Sequence, residues 1–318
     1  MNRYTSLCLG MALFGLGMLL SACGGASARE SGYEWVQSWG EFGQGPGQFN
    51  DPIGIAIAGE EVFVADARNA RIQVFDLDGR FLRQFGNREQ LGRPMHLAIA
   101  QGRLYIADYW NDRIAIFTLD GRWQGSMGRA GQTAGEFNTP SGVAVDGQGH
   151  LYVAEFHGQR VQLLDPQGKP LRQWGTGEKG LWYGRFNYPS DVALDSRGRL
   201  YVADAYNDRI QVFDASGEFS HAWGGPFALN IAGGFDGWFR TAISVTVGPQ
   251  DTIYVSDFLN HRVQIFTPQG ELLGLFGEHG TGDGQFERPI DVAVTPNGEL
   301  LVVDFGNHRI QKWRPIEH

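Results

Sequence analysis

From residue 33 onward the chain alternates short apolar runs with polar turns, and the three-and-four apolar spacing of an amphipathic helix is absent. The runs come in a fixed order. One set reads IGIAIA, MHLAIA, SGVAVD, SDVALD, ISVTVG and IDVAVT. A second follows each of these as EVFVAD, RLYIAD, HLYVAE, RLYVAD, TIYVSD and ELLVVD, apolar at nearly every position, which predicts a strand buried on both faces. A third run opens on Arg71, Arg113, Arg160, Arg209, Arg262 or Arg309, and a glycine turn then leads to a fourth, such as FLRQFG or LRQWG. The second run ends on Asp66, Asp108, Glu155, Asp204, Asp257 or Asp304, acids spaced by 42, 47, 49, 53 and 47 residues. Six four-stranded antiparallel units at this period predict an all-β, six-bladed β-propeller. The sixth unit stops after its third strand, RIQKW, and a matching fourth strand stands first in the fold, as EWVQSWG from Glu34 to Gly40. An open stack gives no reason for that placement. A ring does, because the N-terminal strand then completes blade six and covers an unpaired edge.

The repeated phrase, LYVADAYNDRIQVFDASG from Leu200 to Gly217, resembles the NHL repeat, whose pattern reads YVADxxNxRIQVFDxxG. All six units match it. The departures are Glu155 and Gly158 in unit three, where the others carry Asp and Asn, and Lys312 at an apolar position of unit six. The resemblance covers residues 33–318 and implies a six-bladed propeller.

Six acids and six arginines could be taken for functional groups, but a residue required in every blade is a blade requirement. The acid closes strand two and the arginine opens strand three, so the chain reverses between them. There the acid accepts turn amides, the Asn tolerates a left-handed conformation, and an exposed acid–arginine pair adds about 0–1 kcal/mol. The GxGxF connectors, such as GQGPGQF, are not phosphate loops, because no helix follows and no Lys is in place.

Function is expected where the copies differ. In propellers of this type the connectors from strand four to the next strand one share a face with the strand two–three turns and one mouth of the channel. Loops on a rigid ring are where binding residues concentrate. The longest connector, GGPFALNIAGGFDGWFRTA, carries Phe227, Phe235, Trp238 and Phe239, and its neighbour carries LWYGRF with Trp182 and Tyr183. The variable turn positions hold Tyr109, Trp110, Phe156, His157, Tyr206 and Phe258. These aromatics are the expected ligand- or partner-binding set. At the start of strand one the column reads Gly54, His96, Gly142, Asp191, Ser244 and Asp291. His96, Asp191 and Asp291 fall on alternate blades, which converge on the axis, and one His with two carboxylates suits a divalent cation. His261 and His308 belong to the repeat and are read as structural.

Residues 1–22 read as an export signal: Arg3, the apolar run LCLGMALFGLGMLL, then Ser21 and Ala22. LSAC, ending at Cys23, resembles the lipobox of bacterial lipoproteins, which implies lipidation at Cys23; Gly24 after it points to the outer membrane. Residues 23–32 would be a tether and 33–318 the propeller. Cys8 lies in the leader, so the exported part has no disulfide. It is acidic, with 35 Asp and Glu against 26 Lys and Arg of which Arg3 is lost with the leader, and has no basic run. Nucleic acid is therefore not an expected partner.

The function expected is that of a monomeric, lipid-anchored module on the periplasmic face of the outer membrane, binding an envelope protein, peptide or saccharide through its loop face. No catalytic residue and no cofactor is assigned beyond a divalent cation in the channel. The alternative is a metal-dependent (Ca or Zn) hydrolase or lyase with its site at the channel mouth, which similar six-bladed propellers imply. Some of those lyases place a His where this chain has Gln48, Glu136, Arg185 and Gln285, and that mismatch counts against a lyase.

Overall fold

A computed structural model of the protein describes residues 32–316. The leader, Cys23 and the tether up to residue 31 lie outside the described residues. Six four-stranded antiparallel sheets form the fold, five of them running in chain order from the innermost to the outermost strand and the sixth taking its outermost strand from the start of the described chain. Blade one consists of Pro52–Ala58, Glu61–Asp66, Arg71–Asp76 and Phe81–Phe85. The innermost strands of the others are Pro94–Ala100, Pro140–Val145, Pro189–Leu194, Ala242–Val247 and Pro289–Val294. Each innermost strand touches the next, and the sixth returns to the first, so the ring is closed.

Closure uses the strand expected from the sequence. Tyr33–Trp39 pairs antiparallel with Arg309–Pro315, with Trp35 opposite Trp313 and Trp39 opposite Ile310. Lys312, the departure at an apolar position, is buried here; its ammonium pairs with Glu299 at 3.1 Å and reaches Asp78 of blade one at 3.3 Å. The core lies between blades. Phe63, Ile72 and Val74 of blade one, for example, pack against Leu104, Ile106 and Phe117 of blade two. Each buried side chain of this size contributes about 1.5–3 kcal/mol.

The repeated polar residues build one hub per blade. In blade four, Asp204 accepts the amide of Asn187 at 2.7 Å, Asn207 Nδ2 at 2.8 Å, Arg209 Nε at 2.8 Å and Gln211 Nε2 at 3.0 Å. Two details differ from the sequence expectation. The amide comes from the incoming connector rather than from the turn. The left-handed residue is the one after the Asn, or after Gly158 in blade three (Ala70, Asp112, Gln159, Asp208, His261 and His308), while the Asn side chain, where present, is committed to the acid. The pairs are also not exposed, so the small surface-pair value does not apply: all six acids are fully buried. Burial pushes the Asp257 carboxyl up to about 6 even against its amide and Arg262 partners, and it pushes Asp66, Glu155 and Asp204 in the same direction.

The hub also explains the GxF connectors. Gly47, Gly135, Gly184, Gly237 and Gly284 have φ between 76° and 83°, and their amides donate to Gln73, Gln162, Gln211, Gln264 and Gln311. The Phe two residues on is fully buried each time. Blade two has Ala115 in place of the Gln, and its connector lacks the Gly-x-Phe step, so partner and acceptor are missing together.

Candidate functional site

The axis is built from the first strands. His96, Asp191 and Asp291 stand at the same register on blades two, four and six and are all buried. Their ligand atoms lie within 4.8 Å of one another. His96 Nδ1 is 3.2 Å from Asp291 Oδ2 and 3.6 Å from Asp191 Oδ1. The convergence expected of alternate blades is therefore present. Room for it comes from the intervening blades: a Cβ on Gly142 would stand 2.5 Å from Asp191 Cα, and one on Gly54 2.8 Å from His96 Cα. Each carboxylate is also held by main-chain amides, Asp291 by Ile55 and Val292 at 3.0 and 2.8 Å and Asp191 by Val245 at 3.1 Å. Burial opposes charge on His96, yet the two carboxylates beside it hold its imidazole up to about 9. Burial, with Asp291 alongside, pushes the Asp191 carboxyl up to about 7.

The location differs from the sequence expectation in one respect. The trio does not open onto the loop face. One residue earlier in the strands, Ile53, Met95, Ile243 and Ile290 meet from blades one, two, five and six, and with Phe258 and Phe305 they form one apolar cluster that shuts that end. The trio is instead the floor of a cavity of about 500 Å³ walled by the first strands and reaching Gly59, Gly248, Pro249 and Pro296 in the strand one–two turns. The channel thus opens on the turn face. Phe258, expected in a binding surface, belongs to the plug, with Arg288 over its ring.

The other aromatics divide between two surfaces. On the loop face, Tyr109, Phe156, His157 and Tyr206 join with Tyr188 in one cluster spanning blades two to four. Phe156 stacks on Tyr188 at 4.7 Å, Tyr206 meets Tyr188 at 4.9 Å, and Tyr109 meets Phe156 at 6.3 Å. Tyr206 is 51% exposed; Trp110, under Arg93, is 56% exposed. The connector aromatics lie elsewhere, because each connector folds back across its own blade. Tyr183 stacks on Phe219, the first residue of an outermost strand, at 4.7 Å. Trp182 and Phe235 stand out from this flank at 71% and 70% exposure, and half-buried Trp238 packs edge-on against Phe235.

Two family models match the chain. The NHL repeat model matches residues 49–75, 186–213, 239–266 and 286–313, which are blades one, four, five and six. The chain is an NHL-repeat propeller. A region described as SMP-30/Gluconolactonase/LRE-like matches residues 95–182, where the repeat departs most from its pattern. The NHL propeller is 31% identical over 143 residues to Protein brain tumor of Drosophila melanogaster, a stretch that covers 43% of this chain and spans only 14% of that protein's length. A Streptogramin B lyase structure superposes with a TM-score of 0.63 at 15% identity, covering 89% of this chain and 97% of that one. An auxiliary nutrient binding protein from Bacteroides thetaiotaomicron VPI-5482 gives 0.61 at 14% identity, covering 84% and 69%. At such identities the structural likeness is one of fold.

Two groupings in the NHL propeller escape sequence reasoning. Tyr188 stands in a column otherwise filled by Asp51, Arg93, Thr139, Thr241 and Arg288, and only its ring contacts reveal a role. His261, read as a repeat residue, lies against His279 at 4.2 Å between rings, and His279 Nε2 is 2.6 Å from Glu287 Oε2. This partly exposed trio has ligand-like residue types, but its atoms are committed. His261 Nδ1 accepts the Arg288 amide at 3.1 Å, and the Arg288 guanidinium holds the other Glu287 oxygen at 3.0 Å.

Proposed function

We propose that this NHL propeller is a lipid-tethered recognition module of the cell envelope, which docks a protein, peptide or saccharide on the loop face of blades two to four. The reading rests on the five-ring cluster of Tyr109, Phe156, His157, Tyr188 and Tyr206, flanked by exposed Trp110. Rigid aromatic groups with polar tips suit recognition, since they give large contact area at small entropic cost. The binding role named for the Bacteroides structure fits the same use of a propeller. The position of the tether supports it too. Gly32 sits beside Pro249, Gln250 and Gly298 of the strand one–two turns, so the chain enters the ring on the turn face. A lipid on Cys23 and a ten-residue tether, at most about 35 Å long, would hold that face toward the membrane and leave the aromatic loop face directed away. The module would then sit on the periplasmic face of the outer membrane.

The test is site-specific photo-crosslinking of the lipidated protein in its own membranes. A photoreactive residue at Tyr206 should give discrete adducts, lost on Trp110→Ala, and one at Asn297 on the turn face should give none of them. The same adducts from both positions, or none from Tyr206, refute the loop-face reading.

A further inference from the structure

The axial trio belongs to no part of that recognition surface and has its own entrance. Its geometry is that of a ligand set. In a tetrahedral zinc site with bonds of about 2.0–2.1 Å, neighbouring donor atoms are about 3.4 Å apart. The His96 nitrogen stands 3.2 and 3.6 Å from the two carboxylate oxygens. Two of the three edges thus stand within about 0.2 Å of that spacing, and the third pair of ligand atoms lies within 4.8 Å, so all three can reach one ion once the carboxylates draw in. The carboxylates are pre-oriented by amides of Ile55, Val292 and Val245, as outer partners orient ligands in built metal sites. Two carboxylates and a neutral imidazole balance a doubly charged ion, which removes the cost of holding unlike ionisation states in a buried place. The three residues come from alternate blades while Gly54, Gly142 and Ser244 fill the same register between them, and the Ser244 hydroxyl is turned away to Ser256 at 3.0 Å. The loop side is plugged, and the cavity on the turn side gives both an entry path and a fourth coordination position.

We infer that His96, Asp191 and Asp291 form an axial site for one Zn(II) ion, loaded through the turn-face cavity. The ion bridges blades two, four and six, whose residues are 95 or more apart in sequence.

The experiment uses the chelator-stripped full chain and Co(II) as the spectroscopic probe. One equivalent should give the intense visible absorption of four-coordinate Co(II), and one equivalent of Zn(II) should abolish it. His96→Gln and Asp291→Asn should each weaken binding at least tenfold, whereas His261→Gln should bind as the parent does. Should the axial variants fold poorly, the parent still decides: the Co(II) absorption should saturate at one equivalent per chain and be reversed by one equivalent of Zn(II). Absence of saturable one-to-one binding by the parent overturns the assignment. So do retention of binding in His96→Gln and loss of binding in His261→Gln.

Discussion

Arg209→Met removes the most enclosed cation of the ring. Arg209 and Asp204 are both fully buried. The guanidinium donates to Asp204 at 2.8 Å, to the Ala228 carbonyl at 3.0 Å, and to those of Trp182 and Arg185 at 3.3 and 3.0 Å. Methionine fills much of the volume and makes none of these bonds. Breaking a buried pair by removing one partner costs about 3–5 kcal/mol, chiefly through the charge left behind. Asp204 keeps three donors, and its carboxyl is already raised by burial, so protonation limits the loss. We expect about 4 kcal/mol, or about 8–16 °C in Tm at about 2–4 °C per kcal/mol. Arg309→Met is the control. Its pair is built the same way, but the arginine is 12% exposed, so water replaces part of what is lost and the drop should be clearly smaller. Adding Asp204→Asn to Arg209→Met should recover part of the loss, since a neutral amide needs no cation. Urea and thermal unfolding followed by tryptophan fluorescence measure all four proteins. A cost under about 1 kcal/mol for Arg209→Met, or equal costs for the two arginines, refutes the buried-hub account.

Three further outcomes follow from the packing. A chain starting at residue 42 lacks the closing strand and leaves Arg309–Pro315 as an open edge; it should melt lower and aggregate on size-exclusion chromatography, and an unchanged melt means the ring does not depend on that strand. Gly142→Ala puts a Cβ 2.5 Å from Asp191 Cα and should cost about 1–3 kcal/mol in thermal melts, whereas Gly147→Ala, with nothing within 4 Å, should be neutral. Stability of the metal-free protein should also fall as pH rises. The His96 imidazole is raised from 6.5 to about 9 in the fold, so its contribution is complete below pH 6.5 and lost as pH climbs through 9, at most about 3 kcal/mol. Asp191, raised from 3.8 to about 7, acts in the same direction at lower pH, because the folded state then holds the proton the unfolded state has shed. Urea midpoints at pH 6.5 and 9 should therefore converge in His96→Gln, and an unaltered slope in that variant excludes His96 as the source.

The ring could be read from the sequence because each blade restates its own needs. A strand buried on both faces cannot be disguised, and the order acid, Asn, Arg recurs in every hub but that of blade three, where Gly158 takes the Asn position. The axial column was legible for the same reason: six-fold register turns alternate positions into neighbours. What stayed hidden depends on where chain segments travel rather than on what they contain. The aromatic content of LWYGRF marks an exposed group but not its surface, and only the fold-back that lays Tyr183 on Phe219 moves it from the loop face to the flank. The plug that closes the loop end is made of Ile53, Met95, Ile243 and Ile290, which in sequence are ordinary strand beginnings. In five of the six blades the glutamine of the third strand ties acid, connector glycine and connector carbonyl together, and its signal, an amide inside an otherwise apolar buried strand, stood in plain view.

The hubs bear on recognition as well as stability. Every connector but the short one entering blade two is fixed at its glycine by a hub Gln, and Arg side chains reach connector carbonyls in all six blades. Even the longest connector is held at both ends, by Arg209 at the Ala228 carbonyl and by Arg262 at the Phe235 carbonyl. The connectors can therefore differ in side chains while their backbones stay anchored, and a partner docking there would meet groups already in place, which lowers the ordering cost of binding. This separates two kinds of damage. Trp110→Ala changes what the surface offers and leaves its support intact, so it should raise Kd without moving Tm. Arg209→Met frees a carbonyl anchor of the longest connector, so any effect on binding should come with the loss of stability. A variant set in which surface and hub substitutions moved both quantities together would mean that the loop face is not held ready by the scaffold beneath it.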